Sequence, residues 1–217
     1  MLELKNVSKV YASQIVALFN ADLIINPGEL VTICGPTGAG KTTLTKLISA
    51  EELPTDGEIL FDGLSSKNLK GKKLLSWRQK IGTVYQDLRL LKDRTVAENV
   101  GLPLRIQGKK EKEVASHTKD MVEFVGLRNR RNSYPDELSY GERQKVALAR
   151  AVVSEPQLIL ADEPTGNLDS ASGKEILTLI KGLNHLGRTI LVTTNQKEIA
   201  DFLAFGRVCE LNLGRFR

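Results

Sequence analysis

Cysteine, aromatic residues and long apolar runs are all scarce in this sequence. Its two cysteines, Cys34 and Cys209, are too few for a disulfide framework or a cysteine-built metal cluster, so a reducing cytosol is the natural setting. Aromatic side chains make up 5% of the chain, and none interleaves with the basic runs. The stacking platforms of single-strand binders are therefore missing, and no nucleic-acid partner is expected. Nowhere do about 18 consecutive apolar residues occur, and the charged start MLELKNVSKVY leaves no apolar stretch of the kind a signal peptide needs. Neither a membrane span nor export is expected. Internal repeats, low-complexity segments and long linkers are absent as well.

What remains is a balance of 41% hydrophobic and 26% charged residues over 217 positions, which suits a folded chain with one sizeable core. At roughly 150 residues per domain, that length points to one compact domain with an appended subdomain. The formal net charge is +5. Between Asp62 and Lys112 lie 13 basic residues, the first of them Lys67, against five acidic ones, so this segment alone carries +8 and the remainder −3. A solvated lysine-rich face and a patch for an anionic partner both fit that clustering.

The first 34 residues read as strands: LELKNV, then VALFNADLII, a turn at Asn26-Pro27-Gly28, and ELVTIC. Leu44, Leu47 and Ile48 at helical spacing predict a helix over 41–50, followed by a break at Pro54 and a strand over 57–61. Helices are expected over 96–127 and 136–153. The runs QLILA at 157–161 and RTILVTT at 188–194 have the apolar, β-branched character of buried parallel strands. Strands alternating with helices make the fold class α/β.

Gly35, Pro36, Thr37, Gly38, Ala39, Gly40, Lys41 and Thr42 fit the phosphate-binding pattern G-x-x-x-x-G-K-[ST], placed after a strand and at the opening of a helix. The glycines let backbone amides ring the phosphates and the helix N-terminus adds its positive end. Lys41 reaches the β and γ phosphates, and Thr42, followed by Thr43, offers a hydroxyl to magnesium. A second strand delivers Asp162 and Glu163, adjacent carboxylates that are costly at a buried strand end without a cation. Asp162 suits magnesium, and Glu163 suits the orientation of a water for in-line attack on a γ phosphate. Between these two motifs, Leu138-Ser139-Tyr140-Gly141-Glu142 opens a helical run. The pattern S-x-x-E is a capping box on its own account, so a structural role and a phosphate-contacting role both stand for Ser139 at this point.

With these motifs in this order, the sequence resembles the nucleotide-binding subunit of ATP-binding cassette transporters over nearly its whole length. The resemblance implies a phosphate-loop NTPase core, a mostly parallel sheet with flanking helices. It also implies an N-terminal antiparallel β subdomain and a helical subdomain carrying the signature motif. The single cassette domain would span 1–217, with the core and β subdomain over about 1–90 and 155–217 and the helical subdomain over 91–154. ATP and Mg²⁺ are the implied cofactors. In the family an LSGGQ-like signature closes over the ATP of a second subunit. LSYGE, with Ser139, Gly141 and Glu142, stands there, so a homodimer on ATP binding is implied. By position Tyr11 resembles the aromatic that stacks on adenine. Gln86 resembles the glutamine that senses magnesium and the γ phosphate, and Asn167-Leu168-Asp169 the loop that couples two facing sites.

The run from Asp162 to Asp169, DEPTGNLD, resembles the branch that includes cell-division (FtsE) and lipoprotein-release and macrolide-export ATPases. Gln86 to Leu91, QDLRLL, and Arg94 to Val100, RTVAENV, resemble the cell-division members most. That similarity implies a bacterial ATPase on the cytoplasmic face of the cell membrane. It would be bound to an FtsX-like integral membrane protein, with the anionic inner surface nearby, and would signal to cell-wall hydrolysis outside. Two positions depart from the family. Tyr140 replaces the first signature glycine, and Asn195 stands where the family has a switch histidine. His117 and His185, expected in a helix and in a pre-strand turn, are surface histidines by this reading. Two other functions compete: a small-molecule kinase, which leaves LSYGE and Glu163 without roles, and an ATP-clamping scaffold that hardly hydrolyses, which Asn195 encourages.

Overall fold

The computed structural model describes residues 1–12 and 14–217. In chain order the first half contains β1 (Leu2–Val10), β2 (Val16–Ile25), β3 (Leu30–Cys34), α1 (Lys41–Ile48), β4 (Asp56–Phe61), β5 (Leu64–Ser65), α2 (Gly71–Gln79), β6 (Ile81–Val84) and α3 (Val96–Ile106). The second half continues with α4 (Glu111–Phe124), α5 (Tyr140–Val152), β7 (Leu158–Asp162), α6 (Ser170–His185), β8 (Thr189–Thr194), α7 (Lys197–Phe202), β9 (Arg207–Asn212) and β10 (Arg215–Phe216).

Two sheets result. The antiparallel one runs β2-β1-β4-β5, and the second runs β10-β9-β3-β8-β7-β6 with every strand but β10 parallel. Strands β7 and β8 are buried along their whole length, as a parallel strand covered on both faces must be, and their sequences are accordingly near-continuous apolar runs. Between the two sheets lies one apolar cluster, in which α1 contributes Leu44, Leu47 and Ile48. Trp77 of α2 completes it, packed edge-on to Phe61 at 5.4 Å with its indole N–H donating to the Ile48 carbonyl at 2.8 Å. The opposite face of the parallel sheet is closed by α5, α6 and α7 through Leu148, Ile176, Ile180 and Ile199. Helices α3, α4 and α5 hold a third cluster of their own around Val100, Val114 and Val146.

The expected helix over 96–127 is two helices, broken at Gly108, whose φ of 75 ends α3 in the left-handed conformation that glycine adopts without strain. The expected helix over 136–153 begins properly at Tyr140, because Ser139 caps it. His117 lies in α4 as expected, but His185 is the last residue of α6 rather than part of a turn, and both are exposed. No helix among the described residues is long and apolar enough to cross a membrane.

Candidate functional site

The loop between β3 and α1 is fixed at both ends. Gly35 donates its N–H to the Thr194 carbonyl at the end of β8, and a Cβ at this position would run into the Leu211 carbonyl. Gly40, at φ 105, caps α1 in a conformation closed to other residues, and a Cβ there would strike the Ala17 carbonyl. Thr95, Ser139 and Asp169 close the N-termini of α3, α5 and α6 with side-chain acceptors. At α1 no side chain takes that place and no acidic residue stands in the first turn. The first-turn amides of α1 are thus donors for a bound anion, beside the positive end of the helix. Lys41 is buried over this loop, its ammonium donating to the carbonyls of Gly35 at 2.8 Å and Pro36 at 3.1 Å. Thr37 and Gly38 are exposed at the loop's crest and Ala39 is buried beneath it.

The parallel register of β7 and β8 puts Asp162 beside Thr193. Thr193 donates its hydroxyl to Asp162 Oδ1 at 2.5 Å, and Thr45 of α1 donates to Oδ2 at 3.4 Å. Glu163 follows at φ 48, an unusual value for a residue with a side chain, held there by its N–H bond to the Thr193 carbonyl. The turn directs its carboxylate at Lys41, 3.3 Å away, while its other oxygen accepts the backbone N–H of Asn195 at 3.1 Å. Asn195 therefore enters the site through its main chain, and among the described residues its exposed side chain makes no hydrogen bond. Thr42, Gln86, Asp162 and Asn167 line one cavity of 410 Å³. Their hydroxyl, amide and carboxylate oxygens are the hard donors that magnesium selects. Tyr11 lies alongside, its hydroxyl 3.3 Å from Thr43 Oγ1 and Lys9 over its ring.

The remaining sequence-derived residues lie apart from the phosphate loop. The capping box forms: Ser139 Oγ accepts the Glu142 N–H at 3.2 Å and Glu142 Oε2 accepts the Ser139 N–H at 2.8 Å. The Ser139 amide, with Arg130 beside it, holds the Glu142 carboxyl below the usual carboxylate range. Gly141 packs so closely on α6 that a Cβ would lie 3.3 Å from Ser172 Oγ. Asp169 caps α6, where the Ser172 amide and hydroxyl lower its pKa. Among the described residues none of these four bonds to the loop around Lys41. No sequence motif singles out Thr45 or Thr193. Thr45 sits one turn beyond Lys41, but only the strand register reveals Thr193.

A family model described as ABC transporter matches residues 18–166, more than half of the chain. The chain belongs to the ATP-binding cassette family. It is 41% identical over 216 residues to the cell division ATP-binding protein FtsE of Mycobacterium tuberculosis, covering 99% of this chain and 94% of that protein. Identity to FtsE of Bacillus subtilis is 39% over 201 residues, or 93% and 88% of the two chains. The methionine import ATP-binding protein MetN of Haemophilus ducreyi is also similar, at 37% over 97% of this cassette and 61% of that protein. Among solved structures, a dimeric ATP-binding cassette in a post-hydrolysis state bound to ADP and Pi superposes with a TM-score of 0.91. It is 37% identical and covers 100% of this cassette and 97% of that chain. The present cassette is thus an ATP-binding and ATP-hydrolysing subunit, and its two-sheet α/β architecture is that of the family.

Proposed function

We propose that this cassette is the ATPase subunit of an FtsEX-like membrane complex, in which ATP-dependent dimerisation sends a conformational signal through an FtsX-like integral membrane protein to cell-wall hydrolysis. In this reading residues 1–90 and 155–217 form the core with its β subdomain and 91–154 the helical subdomain. Lys41 leaves its carbonyl partners to neutralise the phosphates, and the α1 amides take the phosphate oxygens. Tyr11 lies against the adenine. Glu163, turned by its backbone toward the site, orients the attacking water. Thr42, Gln86 and Asp162 would hold magnesium, whose charge would offset that of the phosphates. Ser139, Gly141 and Glu142 complete the site of a second copy, and Asn167 to Asp169 face it.

One observation supports the membrane partner above all. A groove of 540 Å³ between α2, α3 and α5 is lined by Leu75, Leu102 and Ile106 together with Arg78, Arg89 and Arg150. It shares Glu51, Tyr85 and Arg89 as a wall with the cavity that holds Gln86 and Asp162. A partner segment seated there is one side-chain layer from the nucleotide site. Two residues of the basic segment that begins at Lys67, Arg78 and Arg89, line the groove, so placement against the anionic inner face of the membrane accords with its charge, each near-surface Lys or Arg contributing about 1 kcal/mol. A second reading, a transporter ATPase of the methionine-import, lipoprotein-release or macrolide-export kind, is favoured by the similarity to MetN.

The test is co-purification of the tagged chain from its own cells at low salt. Recovery of an FtsX-like membrane protein, lost on Arg89→Glu in the groove wall, is the expected result. Recovery of a solute-transport permease instead would establish the second reading.

A further inference from the structure

Helix α5 grips the loop that carries Gln86 at two points. At its first residue, the Tyr140 hydroxyl donates to the Gln86 carbonyl at 3.4 Å and accepts the Asn167 side-chain amide at 3.0 Å. A phenol has one proton to give and lone pairs to receive, so both bonds are made at once. Ten residues on, about 15 Å along the helix, Arg150 donates to the carbonyls of Leu88 and Arg89, each at 2.6 Å. It has no carboxylate partner among the described residues. Leu88 and Arg89 are both left-handed, at φ 59 and 47. Two consecutive side-chain-bearing residues in that region persist only where surrounding contacts over-determine them, and the guanidinium supplies such a contact. The conformation that points Gln86 into the cavity beside Asp162 and Thr42 is thus set from α5.

We infer that Tyr140 is a positioning residue that couples the two nucleotide sites of the dimer. Its hydroxyl ties the start of the signature helix to Gln86 and Asn167 of the same chain. This inference rests on the composite two-chain site proposed above. When Ser139 and Gly141 of one chain engage the nucleotide of the other, any displacement of the α5 N-terminus is delivered through one phenolic oxygen to Gln86 and Asn167. Both of these line the chain's own nucleotide cavity. A glycine at position 140 has no group to make either bond. The ring itself packs on the cluster beneath α5 and α6, a separate and purely structural contact.

Tyr140→Phe separates the two, because it keeps the ring and removes only the oxygen. Steady-state ATP hydrolysis by the full chain is followed against ATP concentration, with thermal unfolding alongside. The expected result is a Tm within about 2 °C of the parent, a Hill coefficient falling from near ~2 toward ~1, and kcat reduced about three- to tenfold. Asn167→Ala removes the second partner from the other side. If Tyr140 acts through Asn167, the double variant is no worse than the more impaired single one. A cooperative parent with an equally cooperative and active Tyr140→Phe variant overturns the coupling and leaves the composite site standing, as do strictly additive losses in the double variant. A parent that hydrolyses ATP without cooperativity overturns both.

Discussion

Glu163 and Lys41 form an ion pair while being assigned opposite tasks, one acting on water and the other on phosphate. Their substitutions separate binding from chemistry. Lys41→Ala removes charge-assisted hydrogen bonds worth about 1.5–3 kcal/mol and is expected to weaken ATP binding roughly tenfold to 100-fold. Glu163→Gln keeps the shape and the contact with the Asn195 amide, so ATP binding is expected to persist while kcat falls by about 10²-fold or more. Nucleotide titration beside single-turnover hydrolysis reads both, and parental turnover in Glu163→Gln would remove it from the water-orienting role. At position 195 the backbone amide already holds Glu163, a contact that histidine supplies equally, so Asn195→His isolates the side chain. An amide is shorter than imidazole and cannot become cationic, which leaves the transition-state charge less stabilised than a histidine would. A preorganised donor of this kind is worth about 3 kcal/mol at full strength, so kcat is expected to rise about tenfold in Asn195→His with ATP affinity unchanged. An unchanged kcat beside brisk parental hydrolysis would mean that another group does this work, and would also exclude the weakly hydrolysing scaffold.

Elements whose local chemistry is complete in the sequence were readable before the structure. The β3–loop–α1 unit declares itself because the glycine pattern, the buried strand and the helical spacing of Leu44, Leu47 and Ile48 lie within 20 consecutive residues. The β7 and β8 strands declare themselves because burial on both faces forces continuous apolar runs. What stayed hidden depends on pairing. The contact of Thr193 with Asp162 follows from a register between strands 31 positions apart, and the grip of α5 on the Gln86 loop from packing between distant segments. A break such as Gly108 was visible but outweighed by the helical periodicity on both sides of it. Asn99 belongs to the hidden kind. Fully buried in α3, it accepts the Leu91 N–H at 2.9 Å and donates to the carbonyls of Leu91, Arg94 and Thr95 at 2.9 to 3.0 Å, closing the stretch that follows Gln86 onto α3. Asn99→Leu matches the volume and leaves the Leu91 N–H and the Arg94 carbonyl without a partner in the interior, while the Leu91 and Thr95 carbonyls keep their backbone bonds. A loss of about 2–4 kcal/mol is expected, or roughly 5–10 °C in Tm for a chain of this length. Differential scanning calorimetry checks it, and a shift under about 2 °C would show that water replaces the amide.

At the scale of the whole molecule, the two sheets and the α3–α5 cluster distribute one catalytic apparatus over two surfaces. The phosphate loop, Asp162 and Glu163 share a single neighbourhood, whereas Ser139, Gly141 and Glu142 make no bond to it among the described residues. Ser139 nevertheless stands exposed at a capped helix start. A single copy thus brings Lys41 and Glu163 together over the loop after β3 but keeps Ser139, Gly141 and Glu142 off that loop. The similar cassette bound to ADP and Pi was solved as a dimer, which accords with two copies each supplying what the other lacks. From this follows a dependence on concentration rather than on any one side chain. If each site needs two chains, the active species grows with the square of monomer concentration while monomer predominates, and ATP, by binding the dimer preferentially, shifts the equilibrium toward it. Specific activity is therefore expected to rise with protein concentration and level off once dimer predominates. Glu163→Gln, which retains ATP, is expected to reach that plateau of association at lower concentration than the parent. Light scattering with and without ATP and magnesium, taken beside hydrolysis rates over about a 100-fold range of protein concentration, makes the comparison. Activity strictly proportional to protein down to concentrations where scattering detects only monomer would mean that one chain suffices for catalysis, and Ser139 and Gly141 would lose their assigned role.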